Sequence, residues 1–300
     1  MSEIMEEDQS GGLRGKFSLL ALVLSLIGVV WFAAAALGSK YGLWGWQFGL
    51  GKMTIGWGPI VAFGTLGLSV LAIVAALVKA PRKRPFMLAL GALLVSGLLT
   101  GRMAALGING SLVPPIHDVQ TNWGDAVVLS DALMAARGTE SNPVRYGEEA
   151  VFGPVERPEW QSYVGLSIAD IQEAAECASH DEDICEDSET PKPYAPLEPL
   201  LINAPRAAVF VEAEKIAKAR GWSIVTSDAA GGVIEATHTS PWWGFKDDVA
   251  IRIREAEGNT TRVDMRSISR VGASDLGANA RRIAAFLYEL DGQRYDRHIG

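Results

Sequence analysis

Three stretches without a single charged residue open this chain, over residues 17–38, 54–78 and 86–101. A helix needs about 20 apolar residues to cross the hydrocarbon of a bilayer. The first two stretches meet that length. The third reaches residue 106 if Arg102 turns its charge out to the headgroups along its own aliphatic stem. Soluble cores rarely need such runs. The expectation is an N-terminal transmembrane region over residues 1–106 with helices at about 17–38, 54–78 and 86–106.

Charge orients these helices. Lys79, Arg82, Lys83 and Arg84 crowd the short second connection, and Arg14 and Lys16 precede the first run. The positive-inside rule then puts the N-terminus and the second connection in the cytoplasm. Tyr41, Trp44, Trp46, Phe48 and Trp57 form an aromatic belt suited to the opposite interface. Three crossings leave everything after residue 106 outside, in the periplasm of a cell with an inner and an outer membrane. A cleaved signal peptide is the rival for the first run, with Ala34, Ala35 and Ala36 as small residues. That run is longer than the usual ~7–15 residues of a signal core, which favours an anchor. Gly97 and Gly101 have the spacing of a close helix contact. No ionisable residue lies deep in any run, which argues against an ion pathway.

The remainder, residues 107–300, is a different polymer. Up to residue 105 the chain carries nine Lys/Arg and four Asp/Glu; beyond it, eighteen and thirty-one. Such an acidic domain repels phosphate backbones, so a nucleic-acid partner is not expected. Residues 107–122 are rich in Gly, Pro and Asn and read as an extended linker. Short helices are expected at 127–136 and 167–178. Cys177 and Cys185 flank an acidic run containing His180. They suit a disulfide closing a small loop, with free thiols as the alternative. A metal site has no support in their spacing.

The last hundred residues alternate clearly. A helix from about Pro205 to Gly221, capped by Asn203, precedes four strands at 222–227, 232–239, 248–256 and 261–269, and a final helix covers 275–290. The fold class is therefore α+β, an antiparallel four-stranded meander flanked by two helices on one sheet face. Val249, Ile251, Ile253, Val263 and Met265 point to the helices, and alternation sends Arg252, Arg254, Asp264 and Arg266 to the other face, joined by Glu235.

Residues 244–252, 262–283 and 232–237, together with Pro114, Pro115, His117 and Asp118, resemble the domain-of-unknown-function family 1499. The resemblance covers most of the chain after Val113, and the acidic stretch 181–190 fits it least. It implies a bacterial envelope or plastid protein, often with membrane segments, and carries no activity onto any residue.

The candidate ligand-binding residues are Arg252, Arg266, Asp264, Glu235 and Asp248, with Asp247 and Arg270 at the margin. Arginine grips carboxylates and phosphates through a two-pronged fork. The competing reading is a set of cross-strand ion pairs. Trp242, Trp243 and Phe245 form a second candidate, an aromatic loop for an apolar ligand or a membrane surface. His117 beside Asp118 offers a general base for a hydrolase, with Ser267 or Ser269 as nucleophile; His238 and Asp275 read as structural. The leading expectation is a membrane-anchored envelope protein with no cofactor, whose periplasmic domain binds a small anionic or lipid ligand or a partner protein. The rivals are a hydrolase of an envelope component and an assembly factor for a membrane complex.

Overall fold

The computed structural model describes residues 12–113, 115–145, 158–177 and 197–292. Cys185 and the acidic stretch 181–190 lie outside these residues, and so does the test of a Cys177–Cys185 disulfide. The chain divides into two compact units, one running to Asn109 and including Pro241–Gly244, the other formed by Gly110–Ser240 and Phe245 onward.

The first unit is helical. Helix α1 covers Gly12–Lys40, a π-helical segment covers Gln47–Gly56, α2 covers Gly58–Val78 and α3 covers Lys83–Leu112. Three spans, Gly12–Lys40, Gln47–Val78 and Lys83–Ile108, are long and apolar enough to cross a membrane. Their buried positions recur at steps of three and four, and they are small: Ser18, Ala21, Ser25 and Gly28 on α1, Ala62, Thr65, Ser69, Ala72 and Ala76 on α2. On α3 they are Ala89, Ala92 and Ser96. The bulky residues Leu26, Ile27, Leu71, Val74, Leu94 and Leu98 point outward. Small side chains let helix backbones approach where lipid gives no hydrophobic drive.

The bundle interior holds hydroxyls that hydropathy does not register. Ser96 Oγ donates to Ser69 Oγ at 3.2 Å, Ser25 Oγ lies 3.5 Å from Ser69 Oγ, and Thr100 Oγ1 donates to the Ala62 carbonyl at 3.2 Å. At one end Arg14 donates to the carbonyls of Lys79 and Ala80. At the other, the expected aromatics form a chain, with ring centroids 5.9 Å apart for Trp44 and Phe48 and 6.2 Å for Phe48 and Trp57. Glycine is required at Gly38, where a Cβ would run into the Trp44 indole. Gly97 and Gly101 do not form a helix contact, since a Cβ at either meets open space.

The third helix corrects one expectation. Residues 107–112 continue the helix rather than starting a linker, and Asp118–Gln120 is strand β1. A glycine inside a helix costs only about 1 kcal/mol relative to alanine. That does not stop a helix already propagating over several turns.

The second unit is α+β. After β1 come α4 (Asp131–Arg137), a 3₁₀ turn at Pro158–Tyr163, α5 (Ile168–Cys177), β2 (Leu200–Ile202) and α6 (Arg206–Ala219). Strands β3 (Ser223–Asp228), β4 (Val233–Thr239), β5 (Lys246–Glu255) and β6 (Thr261–Ser269) and helix α7 (Ala278–Leu290) complete it. The four-stranded meander forms as read, and β1 and β2 add themselves antiparallel along the free edge of β6, giving six strands. Their partners are some 60 to 150 residues away in sequence, so no local turn announces them.

Helix α6 begins one residue later than expected. Pro205 is its N-cap with no side-chain hydrogen bond, and Asn203 does not cap it. Gly221, at φ 72°, ends it in the left-handed conformation. Helices α6 and α7 cover one sheet face. Val209, Phe210, Ile216, Ile283, Phe286 and Leu287 pack there with Val249, Ile251, Ile253, Val263 and Met265. Trp222 stacks on Phe286 at 5.3 Å.

Candidate ligand-binding site

Alternation along β4, β5 and β6 aims Glu235, Thr237, Asp248, Arg252, Asp264 and Arg266 at the face away from α6 and α7. That face is not bare. The segment 121–145, containing α4, crosses it, and Val127, Leu129 and Leu133 pack onto Ala250 and Ile268. The charged side chains between sheet and segment find partners within the chain.

Arg266 is wholly buried. Its guanidinium donates to the Asp118 carboxylate through both Nε, at 2.9 Å, and Nη2, at 2.5 Å, and to the Val127 carbonyl at 3.0 Å. Asp248, also wholly buried, accepts from Arg137 at 2.7 Å, from Arg270 at 2.8 Å and from Thr237 Oγ1 at 2.7 Å. Glu235 accepts from the backbone N–H of Ser130 at 2.6 Å and from its hydroxyl, and so seats the N-cap of α4 on the sheet. These three predicted residues serve the internal lattice.

Arg252 and Asp264 stand differently. They meet at one edge of the face with Arg254, Arg262 and Asp125. Asp264 is fully buried and lies 3.4 Å from Arg252, 2.9 Å from Arg254 and 2.8 Å from Arg262. Asp125, exposed on the loop before α4, places a single oxygen 2.5 Å from Arg254 and 3.1 Å from Arg252. All three arginine side chains retain partial solvent exposure. Three cations therefore share two carboxylates, leaving one positive charge in excess. The hydrogen bond from Arg254 is the main reason that the Asp125 carboxyl titrates below its usual range. Sequence reasoning named Arg252 and Asp264. It missed Asp125, which sits in no periodic pattern, and Arg262, whose side chain folds back to Asp264 two positions along its own strand.

Asp247 belongs to the helix side, a correction of its expected place. It pairs with Arg282 of α7 at 2.5 Å. Arg282 also donates to Ser267 Oγ at 2.8 Å, and Asn279 bridges the His117 carbonyl and Ser269 Oγ at 3.0 Å each. Asp275 accepts from the backbone N–H of Gly277 and of Asn279, at 2.7 and 2.8 Å, holding the start of α7; burial raises its carboxyl above the usual value.

His117 and Ser269 are backbone neighbours, the Ser269 N–H donating to the His117 carbonyl at 2.8 Å, but among the described residues no hydrogen bond joins the imidazole to either serine hydroxyl. His117 Nδ1 faces the Ala273 carbonyl at 3.5 Å, while the Ser267 hydroxyl donates to Asn279 Oδ1. In the β4–β5 loop Trp242 is 62% exposed, and Trp243 and Phe245 are half-buried. The loop closes between the Ser240 N–H and the Phe245 carbonyl at 2.8 Å.

No curated protein and no solved structure matches this chain. A family comparison does, and it is confined to the C-terminal part. It takes in the strands that carry Arg252, Arg254 and Arg262, and leaves outside it Asp118, Asp125 and the residues around Pro115 that bear part of the resemblance seen in the sequence. Residues 172–290 match the model of the family described as Protein of unknown function (DUF1499).

Proposed function

We propose that the protein is a membrane-anchored binding module whose sheet domain takes an anionic group, on a lipid headgroup or a small molecule, at Arg252, Arg254 and Arg262. The observation that carries this reading is the excess of cation there. Three partly exposed arginine side chains meet two carboxylates, within a region of the chain that is otherwise strongly acidic. Guanidinium forks suit carboxylate and phosphate oxygens. The apolar spans hold the domain at a membrane. The basic residues Arg14, Lys79, Arg82, Lys83 and Arg84 support a cytoplasmic N-terminus and an extracytoplasmic sheet domain, the inner membrane and periplasm in a cell with two membranes.

The test is native mass spectrometry of the full-length protein, gently extracted and then stripped of bulk lipid. A discrete anionic adduct is expected, and it should vanish in the Arg254→Ala/Arg262→Ala variant at a temperature where circular dichroism shows the sheet domain still folded. A bare mass for the wild type would overturn the reading.

A further inference from the structure

We infer that Asp125 is a built-in stand-in for the ligand: the arginine site takes a phosphate group, which displaces the Asp125 carboxylate. This rests on the anion-binding reading above and names its chemistry.

The two carboxylates at the site are unequal. Asp264 is fully buried and touched by all three arginines, whereas Asp125 has a 46% exposed side chain and offers one oxygen to two guanidiniums. Exposed pairs of this kind are weak. A tetrahedral phosphate presents separate oxygens to separate guanidiniums, so it satisfies more donors than one shared carboxylate oxygen. Charge points the same way. With Asp125 in place the cluster has one positive charge in excess; with Asp125 withdrawn it has two, matching a phosphate dianion.

The loop is built to release that side chain alone. Arg252 holds the loop backbone through the carbonyls of Asp125 at 2.7 Å and Ala126 at 3.2 Å, and the Asp125 N–H is held by Asn122 Oδ1 at 3.1 Å. The carboxylate can rotate to solvent while these bonds persist. Arg252 Nε is buried with no hydrogen-bond partner among the described residues, a donor that the Asp125–Asp264 pair leaves unused.

The experiment titrates inorganic phosphate into the full-length protein in detergent at about 0.15 M salt, where long-range repulsion by the acidic domain is screened beyond about 8 Å. Asp125→Asn should bind phosphate about five- to ten-fold more tightly than wild type, the equivalent of losing two exposed ion pairs. Arg254→Ala/Arg262→Ala should lose binding. Arginine-dependent binding that Asp125→Asn leaves unchanged or weakens would overturn the stand-in and keep the anion site. Failure of every form, Asp125→Asn included, to bind phosphate or phosphatidic acid would overturn both. Nanodiscs separate the sources. Phosphate binding by Asp125→Asn that is blocked by phosphatidic acid, and not by phosphatidylcholine alone, assigns a lipid headgroup; binding unaffected by either lipid assigns free phosphate.

Discussion

The two units bury opposite kinds of residue. In the helical unit Ala, Gly and Ser lie inside while Leu, Ile, Val and Phe face outward. In the sheet domain Ile, Val, Met and Phe fill the space between sheet and helices. Each arrangement follows from its solvent. Water drives large apolar side chains together. Lipid does not, so helices in it associate where small residues permit close contact and hydroxyls find partners. Polar groups differ too. Among the described residues, the polar side chains that the helical unit buries are hydroxyls, bonded mostly to carbonyls one turn back, whereas the sheet domain buries full charges in Arg266–Asp118 and Arg137–Asp248.

The largest expected effect lies in that charged layer. Asp118→Ala strands a buried guanidinium, and removing one member of such a pair costs about 3–5 kcal/mol. Thermal unfolding of the detergent-solubilised full-length protein should show it. An unchanged midpoint would mean that Arg266 is satisfied by backbone carbonyls alone. Next, Ile251→Ala should destabilise the sheet domain by about 2–5 kcal/mol, the range for large-to-small core changes. Its counterpart Leu71→Ala, on the outward face of α2, should stay within about 0.5 kcal/mol in a bilayer. Equal losses for the two variants would break the contrast between the units. Ser96→Ala should cost only about 0.6 kcal/mol, the average for a hydrogen bond between membrane helices.

The smallest effect is a pH dependence. His238 is held below the ordinary 6.5 by burial first and by Arg282 second, against the pull of Asp247. The unfolded chain then takes up its proton before the folded one. Stability is complete above about 6.5 and declines as pH falls through the folded value. His238→Gln should flatten part of that decline. His117, which burial also lowers, acts in the same direction. A slope that His238→Gln leaves intact would assign the effect elsewhere.

Much of the sheet domain was legible because its signals are local. Alternation in β5 and β6 placed Ile251, Ile253, Val263 and Met265 correctly, and Gly221 marked the end of α6. The site was legible only by half. Arg252 and Asp264 declared themselves by sharing a face with Arg254. Arg137 ends α4, and nothing in the sequence shows that its partner is Asp248, 111 positions later. Asp247 and Asp248 are neighbours with opposite fates because successive residues of a strand point to opposite faces.

Hydropathy and periodicity alone determined three membrane-length helices, an acidic domain after them and an antiparallel meander with one apolar face, because each depends on residues a few positions apart. Only the tertiary structure decided what covers the charged face. The segment 121–145 lies across it, closing Arg266 and Asp248 away and leaving Arg252, Arg254 and Arg262 at the margin with Asp125. Pairings of that kind join residues more than a hundred positions apart, and no local pattern records which buried charge will find which partner.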